Sequence, residues 1–230
     1  MQLSERLQAV ALLVTPGSRL ADVGTDHGYV PIWLWERGRI PSAIAMDVGE
    51  GPLSRAKEHI RAHRGEDVIE TRLSDGLEKL AFGECDSLVI AGMGGMLMKK
   101  ILADGQALLP GFRELALQPQ SDVHEVRRFL QRAGWRIADE EMVFEDGKYY
   151  PMFRAVQGVM DYDREIWFLY GKILLERKHP VLKRYLEKEE RARLQIADRL
   201  QRAGTDGAFL RLRGIEKELG FIREALRCFR

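Results

Sequence analysis

Through the first two-thirds of the chain, short β-rich runs alternate with helical patterns, and this alternation limits the fold more than any other feature. Strands are expected at Arg19–Val23, Ala43–Val48, Ile69–Leu73, Ser87–Ala91 and Glu114–Gln118. Helices are expected near Tyr29–Arg37, Pro52–His63, Met96–Leu109 and Val123–Ala133. A helix between two strands brings the second back parallel to the first, so this order predicts a parallel sheet covered by helices. Two later runs, Trp135–Phe144 and Tyr149–Val156, are separated only by "EDGK" (Glu145–Lys148), whose Asp-Gly pair signals a tight hairpin. The expected core is an α/β, Rossmann-like sheet of five parallel strands closed by an antiparallel hairpin.

The pattern changes at Gly158, which sets the expected domains at residues 1–157 and 158–230. From Asp163 onward the chain reads as helix, broken at Pro180 and again at Ala203–Gly207. Leu212, Ile215, Leu219, Ile222, Leu226 and Phe229 recur at steps of three and four, a heptad seam that needs another helix against it. The preceding helix offers Leu182, Leu186, Ile196 and Leu200, with Glu189 and Arg193 interrupting the stripe. An antiparallel hairpin similar to a short coiled coil is expected. The chain is a monomer if the two seams meet within one copy and a dimer if they meet between copies; no other protein partner is predicted.

Charge is uneven along the chain. Residues 1–157 carry 19 Lys and Arg against 23 Asp and Glu, while residues 158–230 carry 17 against 12. A basic appendage on a mildly acidic core fits a polyanionic partner, and equally a solvated helical surface. No apolar stretch approaches the ~18 residues of a membrane span, and "MQLSERLQAVALL" lacks a secretory leader's pattern. Cys85 and Cys228 stand apart and the five histidines are scattered, so a reduced, cytoplasmic protein without a disulfide or metal site is expected.

The first strand runs into "ADVGTDHGYVP", residues 21–31, with Asp22 inside it and Gly24 and Gly28 framing the turn. Small residues there let backbone amides approach a ligand at a helix start. Asp26 stands where a dinucleotide fingerprint has its middle glycine, and its carboxylate would repel a pyrophosphate. S-adenosyl-L-methionine has no phosphate and carries a sulfonium and an ammonium, so the loop favours that cofactor over NAD. Asp47 ends the second strand about twenty residues after Gly24, the separation at which an acid receives ribose hydroxyls; it could equally cap the next helix. In "LSDGLEKL", Asp75 could accept from the adenine amine with the Gly76 backbone beside it, or serve as an N-cap.

The fourth strand ends in "VIAGMGGML", where Ala91 and Gly92 are expected to meet the cofactor and Met93 and Gly94 the target; the glycines also fit a tight turn before the next helix, and both can hold together. No Asn/Asp-Pro-Pro-Tyr signature is present, which disfavours exocyclic methylation of adenine. No Pro-Cys is present either, and Cys85 precedes the strand, which disfavours covalent attack on a pyrimidine. Gln118 and Gln120 in "LQPQ" could read a base edge, and Tyr149 beside Tyr150 could stack on one, although strand tyrosines are more often packing residues.

Together "LSERLQ", "ADVGTDHGYVP", "SDGL", "IAGMGG", "LQPQ" and "EDGKYY", followed by a helical tail, resemble the bacterial tRNA (adenine(22)-N1)-methyltransferases of the TrmK type over nearly the whole chain. The resemblance implies a class I S-adenosylmethionine-dependent methyltransferase sheet, N1 of adenine 22 as target, and a C-terminal coiled coil that grips tRNA. It also draws in Arg6, as a partner for the cofactor carboxylate. Two departures stand out: Gln118-Pro119-Gln120 replaces the family's usual Gln-Pro-Asn, and Asp47 replaces a frequent Glu. Within this reading Asp26 is the candidate catalytic residue, its carboxylate stabilising the adenine cation, and His27 a candidate substrate contact; both could instead cap the following helix or brace the turn. A small-molecule methyltransferase with a dimerising tail and a non-catalytic RNA-binding protein are the competing readings.

Overall fold

The computed structural model describes residues 1–230. Strands β1 (Leu20–Val23), β2 (Ala43–Asp47), β3 (Ile69–Leu73), β4 (Ser87–Met93) and β5 (Glu114–Pro119) run parallel. Strands β6 (Trp135–Glu145) and β7 (Lys148–Gln157) form the antiparallel hairpin, and the sheet order is β3-β2-β1-β4-β5-β7-β6. Every residue of β1 and β5 is buried, as central strands sandwiched between helix layers require. The hairpin turn is Asp146–Gly147, with φ of 49° and 77°; both residues sit in the left-handed region that the Asp-Gly pair tolerates.

Helices α1 (Glu5–Leu12), α2 (Tyr29–Glu36), α3 (Glu50–Ala62), α4 (Gly95–Asp104) and α5 (Val123–Arg132) complete this unit. Ser4 starts α1, its hydroxyl accepting the Leu7 amide at 3.3 Å. Two expectations need correction. The expected helix to Leu109 stops at Asp104, and Leu109–Gly111 forms a separate single 3₁₀ turn. No helix follows β3: residues 74–80 form turns, in which Ser74 donates to the Gly76 carbonyl and accepts the Lys79 amide, so Asp75 caps nothing helical. Behind the sheet, Arg127 of α5 and Glu140 of β6 pair at 2.8 Å with essentially no exposure, and the guanidinium lies 5.2 Å from the Phe153 ring centre.

Backbone contacts divide the chain between Asp161 and Tyr162. The second unit holds α6 (Glu165–Tyr170), α7 (Lys172–Glu176), α8 (Pro180–Ala203) and α9 (Asp206–Arg227). Gly171, with φ of 90°, separates α6 from α7, a break the helical periodicity did not reveal. Pro180 opens α8, where its missing N–H costs nothing. Ala197 packs with Leu212, Ile215 and Leu219, and Ile196 and Leu200 flank them. The polar interruptions of the α8 stripe are paired: Arg193 meets Glu189 and Glu218, and Glu190 meets Arg223. These pairings run antiparallel. The α9 seam departs from expectation at its end, where Ala225, not Leu226, is buried and Phe229 lies beyond the helix.

Candidate active site

Strand β1 pairs with β2 on one side and β4 on the other, so the crossover direction reverses between β1 and β4. In open α/β sheets, ligands bind outside the carboxyl ends of the strands at such a point. There the structure opens a cleft of about 350 Å³, lined by Arg6, Asp22, Gly24, Thr25, Asp26, His27, Tyr29, Ala91, Gly92 and Gln120 among others.

Gly24 (φ 73°) and Gly28 (φ 70°) form the corners of the loop, and the Met93 methyl occupies the space a Cβ on Gly24 would need. Asp22 is buried, and Thr25 Oγ1 donates to its Oδ2 at 2.6 Å. Burial pushes the Asp22 carboxyl up to about 6, the Thr25 hydroxyl opposes that rise, and the charge on Asp47 adds to it. Asp47 accepts the Asp26 amide at 3.3 Å and the Gly49 amide at 2.9 Å, tying the loop to the end of β2.

Register slips between Ala91 and Met93, and Gly92 is the bulged residue. The bulge removes Gly92 from the ladder, and Gln118 Oε1 takes its N–H at 3.1 Å while accepting Arg6 Nη1 at 2.9 Å. Gln118 was expected to touch substrate; it is fully buried on β5 and instead positions Arg6 and Gly92. The Arg6 guanidinium also lies 5.3 Å from the Tyr150 ring centre. Tyr149, half-buried, has its ring centre 4.6 Å from that of Phe144, and alternation along β7 gives the Arg6 contact to Tyr150. Gln120 is exposed on the cleft rim, its backbone amide donating to the Met93 carbonyl. Gly94 caps α4.

Asp75 and Gly76 line a separate cleft of about 230 Å³ with Leu97, Lys100 and Asp104. The two clefts share no lining residue.

Asp26 (φ 48°) is exposed and pairs with Arg55 Nη2 at 2.7 Å; His27 Nε2 stands 3.4 Å from its carboxylate. Neither Asp26 nor His27 caps α2, whose N-cap is Gly28 without a side-chain bond. The His27, Tyr29 and His59 rings form a near-parallel triangle with centres 5.0–5.3 Å apart. His59 Nδ1 lies 3.0 Å from the His27 carbonyl. The Nδ1 atom of His27 is buried without a hydrogen-bond partner. Sequence reasoning missed Thr25, Tyr29, Arg55 and His59. The signal for the last two was their i, i+4 spacing on α3 opposite consecutive loop residues.

A left-handed glycine corner, a bulged Gly92 and paired acidic and basic side chains can receive a compact zwitterion with an extra positive charge. S-adenosyl-L-methionine is such a molecule: Arg6 suits its carboxylate, and Asp22 its cationic end. The fold and this cradle define an S-adenosylmethionine-dependent methyltransferase of the class I type. The family described as "Methyltransferase domain" matches residues 3–153. A tRNA (adenine(22)-N(1))-methyltransferase of Bacillus subtilis is 32% identical, with 98% of each chain covered. The chain belongs to the tRNA (adenine(22)-N1)-methyltransferase family. Among solved structures, a Streptococcus pneumoniae protein in complex with S-adenosyl-L-methionine is 34% identical, covers 98% of this chain and 100% of its own, and superposes with a TM-score of 0.87. M. capricolum TrmK, solved with S-adenosyl-homocysteine, is 25% identical with both chains covered in full and the same TM-score of 0.87.

Proposed function

We propose that this chain methylates N1 of adenine 22 in tRNA with S-adenosyl-L-methionine, and that the Asp26 carboxylate is its catalytic residue. One observation carries the reading: a family member over its full length keeps a charged cleft at the β1/β4 crossover, with Asp26 on its open side. The cofactor supplies an electrophilic methyl group on a sulfonium. N1 of neutral adenine is already nucleophilic, so the chain's task is alignment and stabilisation of the cationic base that results. Arg6 and Asp22 hold and orient the cofactor. The Asp26 carboxylate accepts a hydrogen bond from the adenine amine as positive charge develops on the ring. His27 and Gln120 flank the target base.

An adenine within folded tRNA must leave its stack, at a cost of a few kcal/mol. Residues of the second unit such as Lys183, Arg184, Lys188, Arg199, Arg211 and Arg213 offset that cost through phosphate contacts. The seam of α9 is covered by α8 within one copy, which supports a monomer. The reaction's setting is the cytoplasm; no helix is long and apolar enough to cross a membrane.

The test is to incubate the protein with labelled S-adenosyl-L-methionine and unmodified tRNA and to map the methylated nucleoside. Label at N1 of adenine 22 is expected. Turnover of small molecules without RNA would overturn the reading. Asp26→Asn should keep cofactor affinity and lower the single-turnover rate by about a hundredfold; an unchanged rate removes Asp26 from the mechanism.

A further inference from the structure

The Asp26 carboxylate that must meet the adenine amine is already engaged, by Arg55. That pair is not what shapes the loop. The Asp26 backbone is held independently, its amide donating to Asp47 and its neighbour Gly28 bonded back to the Thr25 carbonyl. Both partners are half exposed, with 48% of the Arg55 and 55% of the Asp26 side chain accessible. An ion pair this open contributes little to stability and is easily exchanged. Arg55 makes a single hydrogen bond in the structure, which leaves four of its five N–H donors open to another partner. One turn along the same face of α3, His59 joins His27 and Tyr29 in a wall of near-parallel rings. A planar guanidinium one helical turn from a flat aromatic surface presents what a nucleotide carries together: a backbone phosphate and a base.

We propose that Arg55 is a phosphodiester-binding residue for the incoming tRNA strand, and that its transfer from Asp26 to a phosphate releases the Asp26 carboxylate to the adenine amine. This rests on the assignment of Asp26 above and adds a coupling between strand docking and catalysis. While paired, Asp26 is a poor acceptor, because the guanidinium neutralises it. A phosphate offers Arg55 a bidentate partner in exchange. The released carboxylate then faces the cation that forms on the base. No bond is made or broken in the exchange, and no proton needs to move. Arg55 thus acts as a binding residue toward RNA and a positioning residue toward Asp26.

The experiment uses the full chain and an unmodified tRNA transcript, with Arg55→Ala, Arg55→Lys, Asp26→Asn and the double variant Arg55→Ala/Asp26→Asn. Three readouts are taken: cofactor affinity by calorimetry, tRNA affinity against salt concentration, and single-turnover rate. Arg55→Ala should leave cofactor affinity unchanged, weaken tRNA about tenfold and lower the slope of log K against log salt by about one. The same loss should persist in the Asp26→Asn background, since the phosphate contact does not depend on Asp26. Arg55→Lys should recover the slope but not the full rate, because a point charge lacks the fork. An unchanged slope, or a loss that vanishes once Asp26 is Asn, would show that Arg55 serves Asp26 alone and would overturn the proposal. Wild-type protein that binds tRNA without methylating it would overturn the function instead, and the slope would still decide the role of Arg55.

Discussion

Asp22 gives the site a measurable electrostatic signature. Its carboxyl is buried at the end of a central strand, and burial raises it from the ordinary 3.8 to about 6. A raised acid contributes stability that is fully present below its unfolded value and is lost as pH climbs through the folded one. Between about pH 4.5 and about pH 7.5 the wild-type core should therefore lose about 2 kcal/mol relative to an Asp22→Asn variant. The Asn variant carries its own pH-independent cost, since its amide donors enter a site built around an acceptor. That cost shifts the curve without tilting it, so the change in the difference with pH is the quantity to read. Denaturant unfolding can be followed through Trp33, Trp35 and Trp135, with Trp167→Phe in both backgrounds to silence the second unit. A difference that stays flat across this range would refute the claim that burial raises the Asp22 carboxyl. Cofactor should reverse the trend in the wild type, because a cation beside Asp22 stabilises the ionised form; the variant should bind it more weakly.

Two further outcomes test the scaffold. Gln118→Leu removes the one oxygen that holds both Arg6 and the bulged Gly92 amide, so calorimetry should show cofactor binding about tenfold weaker, with the circular dichroism spectrum unchanged. Glu140→Ala removes the carboxylate paired with the buried Arg127 guanidinium and should cost about 3–5 kcal/mol in denaturant unfolding, whereas replacing Arg127 and Glu140 together by Met and Leu should recover most of it.

Alternating β-rich and helical runs carried the sheet, its parallel sense and its closing hairpin, because side-chain periodicity and Asp-Gly turn chemistry are local properties written along the chain. The glycine corners and the acids Asp22 and Asp26 beside them stood out because they lie in one short motif at the end of a strand, whereas Arg6 entered only through the family resemblance, its spacing being that of any exposed residue on an amphipathic helix. The sequence also displayed the α9 seam, though not where its register ends or that Gly171 interrupts the preceding helix.

Other features depended on which strands become neighbours. Gln118 looked like a base reader until β4 and β5 paired around a bulge, which left the Gly92 amide needing an acceptor and drew the glutamine inward. Which of Tyr149 and Tyr150 meets Arg6 and which meets Phe144 followed from the alternation of one strand against its neighbours. Arg55 and His59 sit some thirty residues from Asp26 and His27, and only the packing of α3 beside the first loop sets each pair together. Local chemistry can be read in one dimension, but an ion pair or a ring contact between distant segments exists only once the backbone has brought them within a few ångströms.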